Sequence, residues 1–308
     1  MCTHTLNGAE QPSVYVVVPS YNGMTWLEAC LQSVLKTAYR NFHIIMVDNA
    51  SSDCTPELVR RRFPAVEIVH NTTNVGFAAA CNVGICAAMQ RGADYVALVN
   101  QDVIVDEGWL EPLVDVCERY QDVAVVSPTQ LDYSGTRLDK SFARVLGTSP
   151  EFLQDLWQGT VADVYFFGHT IGAVMLVSRR ALMKVGLFDE MFFCYGEDID
   201  FCRRVIYHGC RVAVCSRCSI RHWHSLLRNK GDPSIDRWMT RARLLLALKE
   251  PKHPFIVTLC DCALLAMRRI VASLVRREYL HLRVSVGAVV WLLPRVPKVF
   301  LRRLRELS

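Results

Sequence analysis

Four short apolar runs in the first hundred residues constrain the fold more than any other feature of the chain. They are rich in β-branched residues, as expected of buried strands, and they cover residues 14–18, 42–47, 66–69 and 95–99. Each is followed by a polar loop and then by a segment with helical periodicity. This alternation predicts an α/β fold in which helices flank a doubly wound, mostly parallel sheet.

Polar residues follow the carboxyl ends of these strands. They are, in chain order, Pro19, Tyr21, Asp48, Asn74 and Asp102. The carboxyl ends of parallel strands meet at one edge of a sheet, where open α/β folds bind their ligands. A carboxylate in the place of Asp102 commonly holds a divalent cation together with substrate phosphates. The alternative is that Asp102 merely caps its strand, but four polar strand ends on a shared edge favour a binding site.

Two common nucleotide-binding motifs are missing from the sequence. No G-x-G-x-x-G follows the first strand, and no G-x-x-x-x-G-K-[ST] occurs. Both motifs hold phosphates through glycine-rich backbone. A nucleotide bound at this edge must therefore be held by loop side chains and a metal ion.

The second half of the chain is less regular. Residues 129–164 are rich in Asp, Ser, Gly and Thr and show no clear elements, and such a long run inside a domain usually serves as a lid or binding loop. Strands are predicted again at 170–177 and 211–214.

A second candidate centre is the turn that opens a helix predicted from Glu197 to about His208. Glu197 and Asp198 stand in its first turn, where the helix dipole stabilises acids by ~0.3–1 kcal/mol. That explanation suffices for one acid, but the aromatic-rich stretch 192–195 crowds the same turn. An apolar wall raises the pKa of a carboxylate and makes it a better base.

Cysteines and histidines gather late in the chain, at Cys210, Cys215, Cys218, His222 and His224. They invite a zinc interpretation, although the cysteines straddle a predicted strand and no second C-x-x-C balances them. The sharper alternative is that a histidine after this strand completes the coordination of a metal ion on Asp102.

The net charge of +5 hides an asymmetry. Residues 255–308 carry ten Lys and Arg against three acids, so the main fold is nearly neutral, which argues against a nucleic-acid partner. In this tail arginine pairs interrupt apolar runs that are shorter than the ~20 residues of a membrane span. Basic amphipathic helices on an anionic membrane surface fit the pattern. The alternatives are a helical subdomain packed on the core and a homodimer contact.

The cysteine content and the first residues predict a cytoplasmic protein. The 13 cysteines are scattered and odd in number, and most lie in apolar patterns, where a free thiol behaves as a small hydrophobe. Residues 1–11 are polar and lack the pattern of a signal peptide.

Together these motifs resemble a family 2 glycosyltransferase with the GT-A fold, of the bacterial rhamnosyltransferase-like branch. The resemblance runs from residue 14 to about residue 225. The matching segments are V-V-V-P-S-Y-N-G (16–23), V-D-N-A-S-S-D (47–53), N-V-G-F-A-A-A-C-N-V-G (74–84), L-V-N-Q-D-V (98–103), G-A-V-M-L-V-S-R-R (172–180) and F-D-E-M-F-F-C-Y-G-E-D-I-D (188–200). The combination of segments is specific to this family, whereas any one segment alone would be weak evidence for it.

The resemblance implies a nucleotide-sugar site at the strand ends. Pro19, Tyr21 and Asp48 would contact the base and ribose, and Asn74 would lie in the same pocket. Asn100 would belong to the same nucleotide-sugar site. It stands where the family has the first acid of its D-x-D motif. That replacement removes one charge from the metal site.

The resemblance also implies the chemistry. Asp102 is similar in position to the metal-binding acid of D-x-D, and His222, with His224 as the alternative, to a histidine that joins a Mg²⁺ or Mn²⁺ ion. Asp198 would be the general base, with Glu197 beside it.

The implied activity is an inverting transfer of a sugar, possibly rhamnose, from a dTDP- or UDP-sugar to a hydroxyl of a saccharide or lipid-linked saccharide in cell-surface polysaccharide synthesis. The implied organisation is a polar tail (1–13), a catalytic domain (14–230) divided into a nucleotide-binding half (14–128) and an acceptor half (129–230), and a helical extension (231–308). Such an enzyme would lie on the inner face of the cytoplasmic membrane.

The sequence is less typical of two other functions. A nucleotidyltransferase would open with a glycine-rich, arginine-bearing phosphate loop, which residues 19–23 lack. A non-catalytic or metal-impaired nucleotide-sugar-binding scaffold is favoured only by Asn100, and the presence of Asp102, Asp198 and His222 opposes it.

Overall fold

A computed structural model describes residues 11–223 and 233–306. Its strands are β1 Val14–Ser20, β2 Phe42–Asp48, β3 Val66–His70, β4 Tyr95–Val99, β5 Val103–Val105, β6 Val123–Asp132, β7 Val164–Phe167, β8 Val174–Ser178 and β9 Arg211–His222. Its helices are α1 Leu27–Leu35, α2 Thr55–Arg62, α3 Phe77–Gln90, α4 Leu110–Arg119, α5 Lys140–Leu146, α6 Pro150–Gln158, α7 Arg179–Val185, α8 Glu197–Tyr207, α9 Pro233–Leu248, α10 Phe255–Val275, α11 Tyr279–Leu292 and α12 Val296–Glu306, the last two joined by a 3₁₀ turn, Leu293–Arg295.

The nine strands of the described ranges form one sheet in the order β3-β2-β1-β4-β8-β6-β9-β5, with β7 also paired to β9. Parallel pairing joins β3 to β2, β2 to β1, β1 to β4 and β6 to β9. β8 runs antiparallel between β4 and β6, and β5 and β7 pair antiparallel with β9. The predicted α/β class, a sheet flanked by helices, is confirmed, and the sheet itself is mixed. The carboxyl ends of β1, β2 and β4 open on the same edge as the start of β8.

The two faces of the sheet bury separate apolar clusters. Along β1, Val16 and Val18 face the cluster that contains α1 and α4, whereas Tyr15 and Val17 face the cluster that contains α3 and α8. Successive side chains of a strand point to opposite faces, so a sheet covered on both sides needs apolar residues at every position. This double burial explains why the first strands are continuous apolar runs in the sequence.

The prediction of an irregular segment over residues 129–164 is wrong. β6 continues to Asp132, and the helices α5 and α6 follow. The side chains of Asp139 and Ser149 start these helices by accepting backbone N–H groups of the first turn. The helices have only 7 and 9 residues, so they leave little periodicity in the sequence.

Two late strands also differ from their predicted bounds. The strand expected over 170–177 starts only at Val174, because the preceding residues form a loop whose last carbonyl accepts the N–H of Asn100 at 2.9 Å. The strand expected over 211–214 continues to His222, which is thus the last residue of a strand and not part of a following loop.

The C-terminal helices pack on the domain that holds the sheet. Helix α9 covers the acidic turn, where the rings of Phe193 and Trp238 stack with centroids 5.1 Å apart. Arg203 of α8 donates to the carbonyl of Leu246 at 2.8 Å. The predicted boundary at residue 230 falls between the two described ranges.

A buried ionic cluster joins α12 and the end of α9 to α8. Lys249 Nζ lies 2.5 Å from Asp189, 3.0 Å from Asp200 and 3.0 Å from Glu306. Arg204 binds Asp200 at 3.0 Å, and Arg302 binds Asp189 at 2.8 Å. Charges of opposite sign therefore balance, as buried charges require. The ionic cluster comprises Asp189, Asp200, Arg204, Lys249, Arg302 and Glu306.

One helical stretch in the described part of the chain, Tyr279–Glu306, is long and apolar enough to cross a membrane by length and composition. The sequence divides this region into shorter runs, which the structure joins end to end. A single stretch of this kind does not identify a membrane span, because helices packed on a protein can meet the same criteria.

Candidate active site

Gln101 ties together the loops that follow β1 and β4. Its Oε1 accepts the hydroxyl of Ser20 at 2.7 Å and the N–H of Tyr21 at 3.1 Å, and its Nε2 donates to the carbonyl of Tyr21 at 3.3 Å. The loop after β1 also meets the loop after β2, where the N–H of Asn22 donates to Ser51 at 3.0 Å. These bonds fix the three loops relative to one another and leave the ring of Tyr21 exposed at the sheet edge.

Asp48 is buried and held on both carboxylate oxygens. Oδ1 accepts the N–H of Ser51 at 3.2 Å, and Oδ2 lies 3.2 Å from Nδ1 of His70. The other ring nitrogen of His70 lies 2.8 Å from the guanidinium of Arg60. Because a guanidinium can only donate, that nitrogen accepts and the ring proton lies on Nδ1, directed at Asp48. Asp48 is therefore fixed as a hydrogen-bond acceptor.

Asn74 reaches the same edge from the loop before α3. Its Oδ1 accepts the side chain of Asn49 at 2.9 Å and the N–H of Gly76 at 3.0 Å. Gly76 has a φ of 90°, and a Cβ there would lie 2.5 Å from the carbonyl of Phe193, which also accepts the N–H of Phe77. Only glycine allows this approach, which brings the acidic turn against the start of α3.

Asp102 and His222 meet where β5 pairs with β9. His222 is in register with Val103, and its Nε2 lies 3.5 Å from Oδ1 of Asp102. The N–H of Trp223 donates to the carbonyl of Asp102 at 3.1 Å. On the other side of the imidazole, Oδ2 of Asp139 lies 4.0 Å from Nδ1. The strand pairing thus brings together residues that are far apart in sequence.

These donors fit a small divalent cation. Asp102 offers a carboxylate and His222 an imidazole nitrogen, and Asn100 Oδ1 is buried without a hydrogen-bond partner among the described residues. A buried oxygen without a partner is ready to bind a ligand or water. The described ranges hold no group of three or more His, Cys, Asp or Glu that could enclose an ion. Substrate phosphates and water would complete the coordination, as is usual for Mg²⁺.

The same finding gives the zinc interpretation no support. Cys210, Cys215 and Cys218 are free thiols, and Cys215 is buried within β9. His224 lies outside the described residues.

Helix α8 begins with two acids in different surroundings. Oδ2 of Asp198 accepts the N–H of Gly172 at 2.9 Å, and Oδ1 accepts that of Ile199 at 2.8 Å. Burial raises the pKa of Asp198, and these hydrogen bonds oppose the rise. Burial and then repulsion by Asp198 raise the pKa of Glu197 far above its ordinary value, and its Oε2 has no hydrogen-bond partner in the described ranges. Asp198 is therefore the first of the pair to ionise.

Strained backbone accompanies these groups. Asn22, Ala50 and Tyr195 have φ values of 50°, 62° and 72°, which residues with a side chain rarely adopt. Each such residue costs ~1–3 kcal/mol, and they tend to cluster at functional sites. All three lie in loops of the candidate site.

The residues predicted to form a site lie along one edge of the sheet. Asp48 ends β2, Asp102 follows β4, and Asp198 reaches the edge through the loop before β8 that also binds Asn100. Pro19 is buried within β1 and lines the edge less directly than Tyr21. The roles assigned to these residues remain predictions.

Four polar residues of this region were not predicted from the sequence. Gln101 and His70 hold predicted residues in place, and Asp139 lies beside His222. His169 lies near Asp198 and acts to lower the pKa of that acid.

Known proteins resemble the chain in sequence. A family model, glycosyl transferase family 2, matches residues 15–183. Over 243 aligned residues the chain is 28% identical to N-acetylglucosaminyl-diphospho-decaprenol L-rhamnosyltransferase of Mycobacterium tuberculosis. The alignment covers 71% of this chain and 78% of that protein. The chain is 29% identical over 197 residues to glycosyltransferase GlyG of Streptococcus pneumoniae, covering 61% of this chain and 62% of that protein.

Solved structures share the fold. TarS of S. aureus in complex with UDP superposes with a TM-score of 0.55 at 16% identity, covering 80% of this chain and 68% of that one. The mannosyltransferase PcManGT of Pyrobaculum calidifontis, in complex with GDP-Man and Mn²⁺, superposes with a TM-score of 0.56 at 17% identity. That superposition covers 97% of this chain and 82% of the other. These neighbours confirm the GT-A-type fold. Because the family model covers more than half of its length, this chain belongs to glycosyl transferase family 2 and is a glycosyltransferase.

Proposed function

We propose that the chain is an inverting, metal-dependent enzyme that transfers a sugar from a nucleotide-diphospho-sugar to an acceptor hydroxyl. The observation that carries the proposal is the pair Asp102 and His222, on the same sheet edge as Asp198. The pair suits a diphosphate bound through a cation, and Asp198 suits a proton acceptor.

The donor is assigned to the loops after β1, β2 and β3. The exposed ring of Tyr21, next to Pro19, offers a face on which a base can stack. Asp48, held as an acceptor by His70, suits the N3–H of a pyrimidine or a ribose hydroxyl. Asn74 adds an amide nearby. A dTDP- or UDP-sugar fits this set.

Asp102 and His222 would hold Mg²⁺ or Mn²⁺, with Asn100 beside them. When bound, such an ion neutralises charge on the leaving diphosphate. Asn100 in the place of a second acid leaves the site with one carboxylate, so the diphosphate supplies most of the negative charge around the ion.

Asp198 is assigned as the base. It takes the proton of the acceptor hydroxyl while the hydroxyl oxygen bonds to C1 of the sugar and the bond from C1 to the diphosphate breaks. General-base catalysis of this kind is typically worth ~10²–10⁴-fold. The chemistry needs no protein nucleophile, so a single displacement inverts the configuration at C1. Burial and repulsion by Asp198 raise the pKa of Glu197, which disfavours a second negative charge beside the base.

The acceptor is proposed to be a saccharide or lipid-linked saccharide of cell-surface polysaccharide synthesis, and the sugar to be rhamnose. Support comes from the M. tuberculosis relative, whose name specifies an L-rhamnosyltransferase acting on N-acetylglucosaminyl-diphospho-decaprenol. A scaffold that binds a nucleotide-sugar without turnover is favoured only by Asn100.

The proposal is tested by screening UDP-, dTDP- and GDP-sugars with Mn²⁺ for thermal stabilisation and for donor turnover. A true donor should raise the melting temperature by mass action and be consumed only with metal present. Asp102→Ala should abolish this turnover, whereas Asp106→Ala, on the far side of β5, should not. Stabilisation by a donor without metal-dependent turnover would instead support the scaffold.

We also propose that α10, α11 and α12 bind the inner face of the cytoplasmic membrane as a peripheral anchor. Their outer surface exposes the basic side chains Arg268, Arg276, Arg277 and Arg283. It also exposes large apolar side chains at Ile256, Met267, Val271, Leu274, Val275, Tyr279, Val290, Leu293, Leu301 and Leu304. Fully burying such an apolar side chain is worth ~1.5–3 kcal/mol, against ~1 kcal/mol for a basic residue near anionic lipid. Insertion therefore contributes more than charge.

Co-sedimentation with phosphatidylglycerol and phosphatidylcholine vesicles tests the anchor. Wild type should pellet more with the anionic vesicles, and the double variant Val275→Asp, Leu293→Asp should bind at least ~10-fold more weakly. Met183→Asp, at an exposed apolar position of α7, is the matched control and should bind normally. If wild type ignores vesicles but forms dimers that the double variant disrupts, this surface is a homodimer contact and the membrane proposal fails.

A further inference from the structure

Asp139 has a role that its position in the sequence does not reveal. It lies in the segment between β6 and α5, is 2% exposed, and its N–H donates to the carbonyl of Gln130 in β6 at 2.9 Å. Its Oδ1 accepts the N–H groups of Ser141 and Phe142 at 2.8 and 3.1 Å, which caps α5. Capping uses one oxygen of the carboxylate and leaves the other for a second contact.

The second oxygen faces His222. Oδ2 of Asp139 lies 4.0 Å from Nδ1 of the imidazole, while Nε2 of the same ring lies 3.5 Å from Asp102. The side chains of His222 and Asp139 are 4% and 3% exposed, so water screens this arrangement little. The imidazole therefore lies between two carboxylates, with a different ring nitrogen nearest to each, and both separations are longer than a hydrogen bond.

We infer that Asp139 is a positioning residue that orients His222 toward the cation. With the ring proton on Nδ1, on the side of Asp139, Nε2 keeps its lone pair on the side of Asp102, where the cation would bind. Carboxylates that accept the second ring N–H of a metal-binding histidine typically strengthen metal binding 10–100-fold. The inference rests on the proposed metal-dependent function and adds a residue that touches neither substrate nor metal.

The choice of residue supports a second role beside capping. Asn and Ser cap helices about as well as Asp. Neither can present a negatively charged oxygen to an imidazole N–H while capping with the other. A cap alone would not require a carboxylate with its free oxygen buried against a histidine.

Asp139→Asn and Asp139→Ser test the inference, because both keep a capping oxygen and remove the carboxylate that faces His222. The dissociation constant of Mn²⁺ is measured in the presence of UDP by the electron paramagnetic resonance signal of free Mn²⁺. We expect both variants to bind Mn²⁺ ~10–100-fold more weakly than wild type, with melting temperatures close to that of wild type. Nitrogen NMR of His222 in the metal-free protein should show a larger share of the ring proton on Nε2 in the variants than in wild type.

Ser149→Ala is the matched control. It removes the cap of the neighbouring helix α6, where Ser149 accepts the N–H of Phe152 at 3.1 Å, without a contact to His222. It should lower the melting temperature and leave Mn²⁺ affinity unchanged.

The outcomes separate the inference from the proposed function. If wild type binds no Mn²⁺ in the presence of UDP, the metal-dependent function fails and the inference fails with it. If wild type binds Mn²⁺ and both Asp139 variants bind it equally well, Asp139 does not position His222 and the proposed function stands. An equal loss of affinity in Ser149→Ala would assign the effect to local stability and overturn the inference.

Discussion

Asp198 and Asp200 stand in the same first turn of α8 in opposite electrostatic surroundings. Asp200 belongs to the ionic cluster, where Lys249 and Arg204 outweigh the effect of burial and lower its pKa. Among the described residues, Asp198 forms no ion pair with a Lys or Arg; it accepts two backbone N–H groups, and burial raises its pKa. One acid is neutralised by its neighbours, and the other keeps its capacity to take up a proton.

Helix α8 thus serves stability and chemistry at once. The ionic cluster fastens α8 to Lys249 at the end of α9 and to Glu306 at the end of α12. This attachment holds the first turn of α8, and with it Asp198, in place. A general base must be well positioned and also free to accept a proton, and the two acids divide these requirements.

Asp198→Asn should have the largest effect on activity. Loss of the base should lower the rate of transfer ~10²–10⁴-fold with donor affinity unchanged. The variant should unfold at a urea concentration close to that of wild type, because relief of the buried charge is opposed by the loss of one of the two acceptors for backbone N–H groups. Steady-state kinetics and urea titrations measure both effects. Transfer close to the wild-type rate would move the base elsewhere, with Glu197 as the first candidate.

Lys249→Met should instead act on stability. Removing one partner of a buried ion pair typically costs ~3–5 kcal/mol, because the remaining acids are left buried without compensation. Urea unfolding of the variant measures this loss. Arg268→Met, at an exposed position of α10, is the control and should change the free energy of unfolding by less than ~0.5 kcal/mol. A similarly small change in Lys249→Met would show that the ionic cluster does not stabilise the fold.

The two acids should give opposite pH dependences of stability. The lowered pKa of Asp200 contributes stability above the unfolded-state value of about 3.9, and this is lost as pH falls through the folded value. The raised pKa of Asp198 contributes stability below that value, and this is lost as pH rises through the folded value. Unfolding free energies from pH 3 to 7, in steps of about one unit, should show the first loss disappear in Asp200→Asn and the second in Asp198→Asn. If the unfolding free energies of both variants change with pH in the same way, Asp198 and Asp200 do not have opposite pKa shifts.

Gln101→Ala should have the smallest effect and tests the loops at the other end of the site. It removes hydrogen bonds to Ser20 and Tyr21, each worth ~0.5–1.5 kcal/mol. The KM for the donor should rise up to ~10-fold with kcat nearly unchanged. Gln32→Ala, which removes an exposed bond to Glu28 on α1, is the control and should have wild-type kinetics. An unchanged KM in Gln101→Ala would mean that these bonds do not shape donor binding.

The sequence was sufficient to predict site residues that directly follow a recognisable strand. Asp48 and Asp102 directly follow apolar runs, so their place at the sheet edge follows from the pattern of a parallel sheet. Asp198 was recognisable because aromatic residues surround an acidic first turn. These residues lie along one edge of the sheet, and the GT-A-type fold is confirmed.

The rest depends on contacts that no local pattern records. Asp139 stands in a segment whose helices are too short to show periodicity, and it meets His222 only because β9 extends eight residues beyond its predicted end, from 214 to 222. Gln101 looks like a spacer between Asn100 and Asp102 until the loop after β1 folds onto it. The ionic cluster likewise joins residues from α8 to α12 that show no common motif in the sequence.

Carbon NMR of the side-chain carboxyls tests the central contrast most directly, by following the titration of Asp198 and Asp200 in one wild-type sample. We predict that Asp198 titrates above the ordinary value of about 3.9 and Asp200 below it. The signals are assigned with Asp198→Asn and Asp200→Asn. If both carboxyls titrate together near the ordinary value, the proposed difference between the ion-paired Asp200 and the base Asp198 is wrong.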